Sequence, residues 1–156
     1  MYQADRLHVF AAESDSLAVV TSSEELKQVL KSREDDSKLI AGLLGTEGSH
    51  ALDGDLDNIK RLYDAGFRMM SLQHFFDNKL GGSLHGESNT GLTDFGREAV
   101  RLMDSMGIMI DVSHSSPQVV GDVLNLIDSP LIVSHTGFKG HCDQKRNISD
   151  DLMMRI

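Results

Sequence analysis

Short apolar runs alternate along the chain with stretches whose apolar residues recur every three or four positions, the signature of strands alternating with amphipathic helices. A capping box, Ser22-Ser23-Glu24-Glu25, precedes Leu26, Val29 and Leu30 and predicts a helix there. Leu39 to Leu44 is a continuous apolar run that reads as a first buried strand ending near Gly45. A helix follows from about Asp55, with Leu56, Ile59 and Tyr63 on one face and Gly66 as its stop. Phe67 to Leu72 is the second strand. Thr93 then caps a helix that presents Phe95, Ala99, Leu102, Met103 and Met106, while Arg97, Glu98, Arg101 and Asp104 face away. Gly107 ends it. Ile108 to Val112 is the third strand, and Ser116-Pro117 opens a helix lined by Val120, Val123, Leu124 and Ile127. Leu131 to Val133 is the fourth strand, and Ser149 caps a final helix.

Strands and helices joined by short links imply parallel strands with right-handed crossovers, an α/β architecture. An open doubly wound sheet and a TIM (β/α)8 barrel both satisfy that pattern. Dinucleotide binding would require a glycine fingerprint after the first strand, and neither Gly42-Leu43-Leu44-Gly45 nor Gly45-Thr46-Glu47-Gly48 matches it. A complete barrel takes about 250 residues. The chain of 156 residues is therefore read as a single partial TIM-barrel domain with about four parallel strands. Residues 1–37 form an N-terminal helical segment and residues 38–156 consecutive βα units.

Composition narrows this only a little. Hydrophobic residues make up 40% and charged residues 25%, an ordinary globular balance. The net charge of −9 argues against nucleic acid and anionic membrane surfaces as partners. No apolar run approaches the roughly 20 residues of a membrane span. The first residues carry no apolar signal region, and the single cysteine, Cys142, has no internal disulfide partner. Both features lead to the expectation of a cytoplasmic protein. Met69, Met70, Met103 and Met106 fall at core positions rather than forming a soft metal site.

The chemistry gathers just past the strands. The first leads into Glu47, the second into His74, the third into His114 and the fourth into His135. In parallel α/β folds, sites form at the C-terminal ends of strands. One histidine after a strand is more often a hydrogen-bonded structural residue than a ligand. A carboxylate and imidazoles at successive strand ends suit a metal or an acid–base site. Asp77 to Thr90 is polar and glycine-rich, as in a functional loop. Asp111 is placed to orient His114, or to serve as a helix or loop partner. His50 and His85 read as structural.

Several blocks resemble the renal or membrane dipeptidase family, peptidase family M19, particularly its bacterial members. They are Glu47-Gly48-Ser49-His50, His74 with Asp77-Asn78, and Gly91-Leu92-Thr93-Asp94-Phe95-Gly96-Arg97. Ile110-Asp111-Val112-Ser113-His114, Ser134-His135 and Arg146-Asn147-Ile148-Ser149-Asp150 follow in the family's order. The resemblance implies an amidohydrolase-like barrel holding two zinc ions and a dipeptide substrate. Glu47 would bridge the metals, and His114 and His135 would complete the ligands of one of them. His74 would contact the substrate and stabilise the oxyanion, and Arg146 would hold its terminal carboxylate. A metal-activated water would be the nucleophile.

The resemblance also implies a His-x-Asp ligand pair before Glu47 and an aspartate on a late strand. Neither is found: His8 is followed by Phe10 where the aspartate belongs, and His141-Cys142-Asp143 lies after the fourth strand. At most one well-supported zinc site and low or no dipeptidase activity are therefore expected of this chain alone. The alternatives are another amidohydrolase-like hydrolase, acting on lactones or N-acyl amino acids, and a noncatalytic metal-binding or assembly protein that keeps the family core. Unpaired edge strands lead to the expectation of a homo-oligomer.

Overall fold

A computed structural model describes residues 2–156. In chain order the elements are α1 Tyr2–Ala12, β1 Leu17–Val19, α2 Ser23–Ser32, β2 Ile40–Gly42, β3 Leu44–Thr46, a 3-10 turn His50–Leu52 and α3 Asp57–Asp64. Then come β4 Phe67–Ser71, α4 Asp94–Ser105, β5 Met109–Asp111, α5 Pro117–Leu124 and α6 Asp150–Met153. Four helices start where a serine or threonine oxygen accepts an otherwise unpaired N–H. Ser22, Thr93, Ser116 and Ser149 cap the amides of Glu25, Gly96, Val119 and Leu152 respectively. The Glu25 carboxylate turns back to accept from the Thr21 amide at 2.6 Å, which closes the capping box one residue early. Gly66 and Gly107, with φ of 97° and 69°, take the left-handed turns that stop α3 and α4.

All strand pairings are parallel. β1 pairs with β2, and β3, β4 and β5 form a second ladder. Three expectations change here. The segment expected to be helical before residue 38 also contains β1, whose three residues are too few to show a period. The first apolar run divides into β2 and β3, each paired to a different neighbour, with a register shift at Leu44 and Gly45 where the chain passes close to Met69. The fourth expected strand contracts to one bridge: the Ile132 amide donates to Ile110 and the Val112 amide donates to Ile132, each at 2.9 Å.

Alternation along the strands sorts their side chains. Met70, Leu72, Ile110 and Val112 are buried with Ile59, Leu62, Ala99, Val100, Met103, Val119, Val120 and Val123 of the covering helices. Burying each of these side chains other than Ala99 stabilises the fold by about 1.5–3 kcal/mol. On the opposite face Leu43, Gly45, Glu47, Met69, Asp111, Ser134 and His135 line an open cleft. Arg68 ties the N-terminal segment to this layer. Its Nε donates to the Thr21 carbonyl at 2.8 Å, and its guanidinium stands 3.8 Å from the Tyr63 ring centroid. No helix among the described residues is long and apolar enough to cross a membrane.

Candidate metal centre

Glu47 follows β3 directly, so its height above the sheet is set by the Leu44–Thr46 ladder. Its Oε1 lies 3.3 Å from His114 Nε2, 3.3 Å from His135 Nε2 and 3.5 Å from His74 Nε2. His114 and His135 face each other Nε2 to Nε2 at 2.9 Å. Ligands of a tetrahedral ion with bonds of about 2.0 Å stand roughly 3.3 Å apart. The four strand-end residues predicted from sequence therefore meet at one point.

His114 owes its place to backbone geometry rather than to strand alternation. It sits beyond β5 with φ of 65°, a left-handed conformation that costs a residue with a Cβ about 1 kcal/mol or more. Its carbonyl accepts from the Leu84 amide at 2.7 Å, which locks the turn against the 77–90 loop. The ring is buried beside His74, His85 and His135, with centroid separations of 4.7, 5.5 and 4.8 Å. Burial, followed by the nearby charge of Arg146, holds the His114 pKa below the usual histidine value, and the Glu47 hydrogen bond opposes this. His85 is lowered in the same way, first by burial and then by Arg146 and Lys145.

The Asp77 side chain anchors the 77–90 loop through three backbone amides. The Asp77 carboxylate accepts from the amides of Ser83 at 2.7 Å, Ser88 at 2.9 Å and Glu87 at 3.1 Å. These backbone donors, Ser88 first, hold its pKa below the ordinary carboxylate value. Ser83 Oγ then donates to the His74 carbonyl at 2.5 Å. The Gly-Leu-Thr-Asp-Phe-Gly-Arg block has a structural reason too: any Cβ on Gly96 would overlap the Leu80 carbonyl, on which α4 is seated. Arg97 completes the block with an ion pair to Asp122 at 3.1 Å.

Asp111 does not orient His114. It faces the open cleft and reaches Ser134, whose Oγ donates to Asp111 Oδ2 at 2.6 Å and lies 2.8 Å from His135 Nδ1. Alternation placed Asp111 on the correct face, but Ser134 carried no sequence signal apart from its position before His135. Arg146 Nη2 donates to the His135 carbonyl at 2.7 Å. Arg146 also lines a cleft of about 220 Å³ together with His114, Lys139, Lys145, Val112 and Ile148. His8 lies elsewhere, with its Nε2 3.3 Å from the Ala65 carbonyl. Cys142 is exposed and unpaired.

The donor set fits a cation. One carboxylate oxygen and two imidazole Nε2 atoms converge within 3.3 Å of one another. Glu47, His74 and His114 place one ligand atom each within 4.8 Å of one another, and His135 Nε2 stands 3.3 Å from Glu47 Oε1 and 2.9 Å from His114 Nε2.

Comparison with known proteins gives this cluster its context. Residues 1–156 match the family model for membrane dipeptidase, peptidase family M19. The chain belongs to that family. It is 32% identical over 160 residues to human Dipeptidase 3, covering 99% of this chain and 31% of that protein. An uncharacterized dipeptidase of Schizosaccharomyces pombe is 34% identical over 119 residues, covering 75% of this chain and 29% of the relative. This M19 chain thus spans about a third of the length of those curated relatives. Among solved structures, a probable dipeptidase from Pseudomonas aeruginosa superposes with a TM-score of 0.88 at 23% identity, over 99% of this chain and 40% of that one. A metallopeptidase from Rhodobacter sphaeroides, bound to a phosphinate mimic of the dipeptide L-Ala-D-Ala, superposes with a TM-score of 0.79 at 24% identity, over 99% and 44%. These likenesses establish the fold of the M19 chain as part of a TIM barrel, with the open cleft on its inner face.

Proposed function

We propose that this chain carries the metal-holding wall of a zinc-dependent dipeptidase, with Glu47, His114 and His135 as ligands. The convergence of Glu47 Oε1 with both imidazole Nε2 atoms at 3.3 Å carries the reading. Zinc, when bound, supplies the Lewis acidity that makes water a nucleophile near neutral pH. The chain's own residues do the rest. Glu47 and the two histidines hold the charge. His74, with its Nε2 3.5 Å from the same Glu47 oxygen, contacts the substrate carbonyl and stabilises the negative charge that develops on its oxygen. Arg146 offers a planar guanidinium to the terminal carboxylate of a dipeptide, and Lys139 and Lys145 add positive charge along the same cleft. The relative bound to a mimic of L-Ala-D-Ala supports dipeptides as the substrate class.

The isolated chain is expected to bind one metal and to hydrolyse dipeptides slowly or not at all. Glu47 and His135 are 55% and 48% exposed, so the charges that catalysis uses face water rather than a closed, water-excluding site. Covering the inner face requires further protein, either a second copy of this chain or the rest of a barrel. Were metal bound without hydrolysis under any assembly, a noncatalytic metal-binding role would replace the enzymatic one. The test is zinc content of the purified protein after dialysis, wild type against Glu47→Ala, with a dipeptide panel assayed in parallel. Stoichiometric zinc in the wild type and little in the variant supports the site. Equal, negligible zinc in both overturns it.

A further inference from the structure

The bonds around Asp111 run in one direction only. Its carboxylate accepts from the Ser113 amide at 2.9 Å, the Ser134 amide at 3.1 Å and the Ser134 hydroxyl at 2.6 Å. A carboxylate has no hydrogen to return, so the single Ser134 hydroxyl proton is committed to Asp111. Ser134 Oγ can then only accept from its remaining neighbours. One is Ser113 Oγ at 3.2 Å, which itself accepts from the His135 amide at 3.2 Å. The other is His135 Nδ1 at 2.8 Å, which must carry the ring hydrogen.

We infer that Asp111, acting through Ser134, fixes His135 in the Nδ1–H tautomer and so presents a bare Nε2 lone pair to the candidate metal. Asp111 and Ser134 are positioning residues: neither touches the reacting atoms. The same logic makes the facing ligand different. With both rings neutral and no hydrogen on His135 Nε2, the hydrogen of the 2.9 Å contact sits on His114 Nε2 in the metal-free chain, where Glu47 Oε1 at 3.3 Å is a second acceptor for it. His114 Nδ1, buried and without a partner, is then an unpaired acceptor. To offer Nε2 to a metal, His114 would have to carry its hydrogen on Nδ1 instead, whereas His135 would need no rearrangement. The metal site is thus preset on one side and switched on the other.

This inference rests on the proposed metal site for its purpose but not for its test. Nitrogen-15 NMR of the metal-free chain reads the tautomer of each imidazole directly, and competition with a chromophoric chelator reads zinc affinity. The wild type is expected to show Nδ1–H on His135 and Nε2–H on His114. Ser134→Ala is expected to move His135 towards Nε2–H and to weaken zinc binding by about tenfold or more. Ser134→Thr, which keeps the hydroxyl, restores both. Nε2–H on His135 in the wild type, or an unchanged tautomer in Ser134→Ala, overturns the relay even where zinc binds. Absence of zinc from every variant overturns the proposed function instead, and the tautomer alone then decides the relay.

Discussion

His114 and His135 stand Nε2 to Nε2 at 2.9 Å although 21 residues separate them in sequence. The contact spans two consecutive βα units. It exists because Val112 and Ile132 share a backbone hydrogen bond that sets both side chains at one height.

Removal of His135 is therefore expected to cost more metal affinity than removal of His74. His135→Ala should weaken zinc binding by well over about tenfold, and His74→Ala by less than about threefold, as for a residue outside the ligand set. Chelator competition on both variants measures this. The reverse order would place His74 in the ligand set and His135 outside it.

Backbone strain at His114 gives a second expectation. Asparagine tolerates the left-handed φ better than histidine does. His114→Asn should abolish zinc binding while leaving the thermal midpoint of the metal-free chain within a few degrees of wild type, measured by circular dichroism.

Asp77 should make the stability of its loop depend on acid. Its folded pKa lies below the unfolded value, so its contribution is complete above about pH 4 and is lost as pH falls through the folded value. Urea unfolding of the wild type and Asp77→Asn should show a clear gap at pH 7 that narrows at pH 3. A gap of constant size would mean that the charge on Asp77 is not what anchors the amides of Ser83, Glu87 and Ser88.

Glycine positions separate crowding from conformation. Gly96→Ala drives a methyl group into the Leu80 carbonyl and should destabilise the fold by about 2–3 kcal/mol or more. Gly107→Ala meets open space and costs only the strain of its φ of 69°, about 1–2 kcal/mol. Denaturant midpoints of the two variants give the ranking.

The sequence made the helix starts legible because a cap depends on a side chain and an amide only two or three residues apart. Ser22, Thr93, Ser116 and Ser149 all bond as their positions require. Glu47, His74, His114 and His135 could be read as neighbours because each stands two or three residues past the end of an apolar run. The Leu39–Leu44 run could not be divided in advance, since its break depends on which strand lies beside each half. β1 was missed because Leu17–Val19 is shorter than any periodicity. Of the two roles open to Asp111, the loop partner is the one seen, for a related reason: alternation holds within a strand, while His114 stands beyond the strand on a turn.

Strand order bears on how the chain is made. Each strand ladder joins a strand to a later neighbour with only helices and turns between them, β1 to β2, β3 to β4 and β4 to β5, and β5 bridges onward to Ile132. Such a sheet can lengthen one strand at a time as the polypeptide leaves the ribosome, each new unit docking on an edge already in place. His135 comes from the last of these additions, so the candidate metal pocket is completed only when that edge has closed.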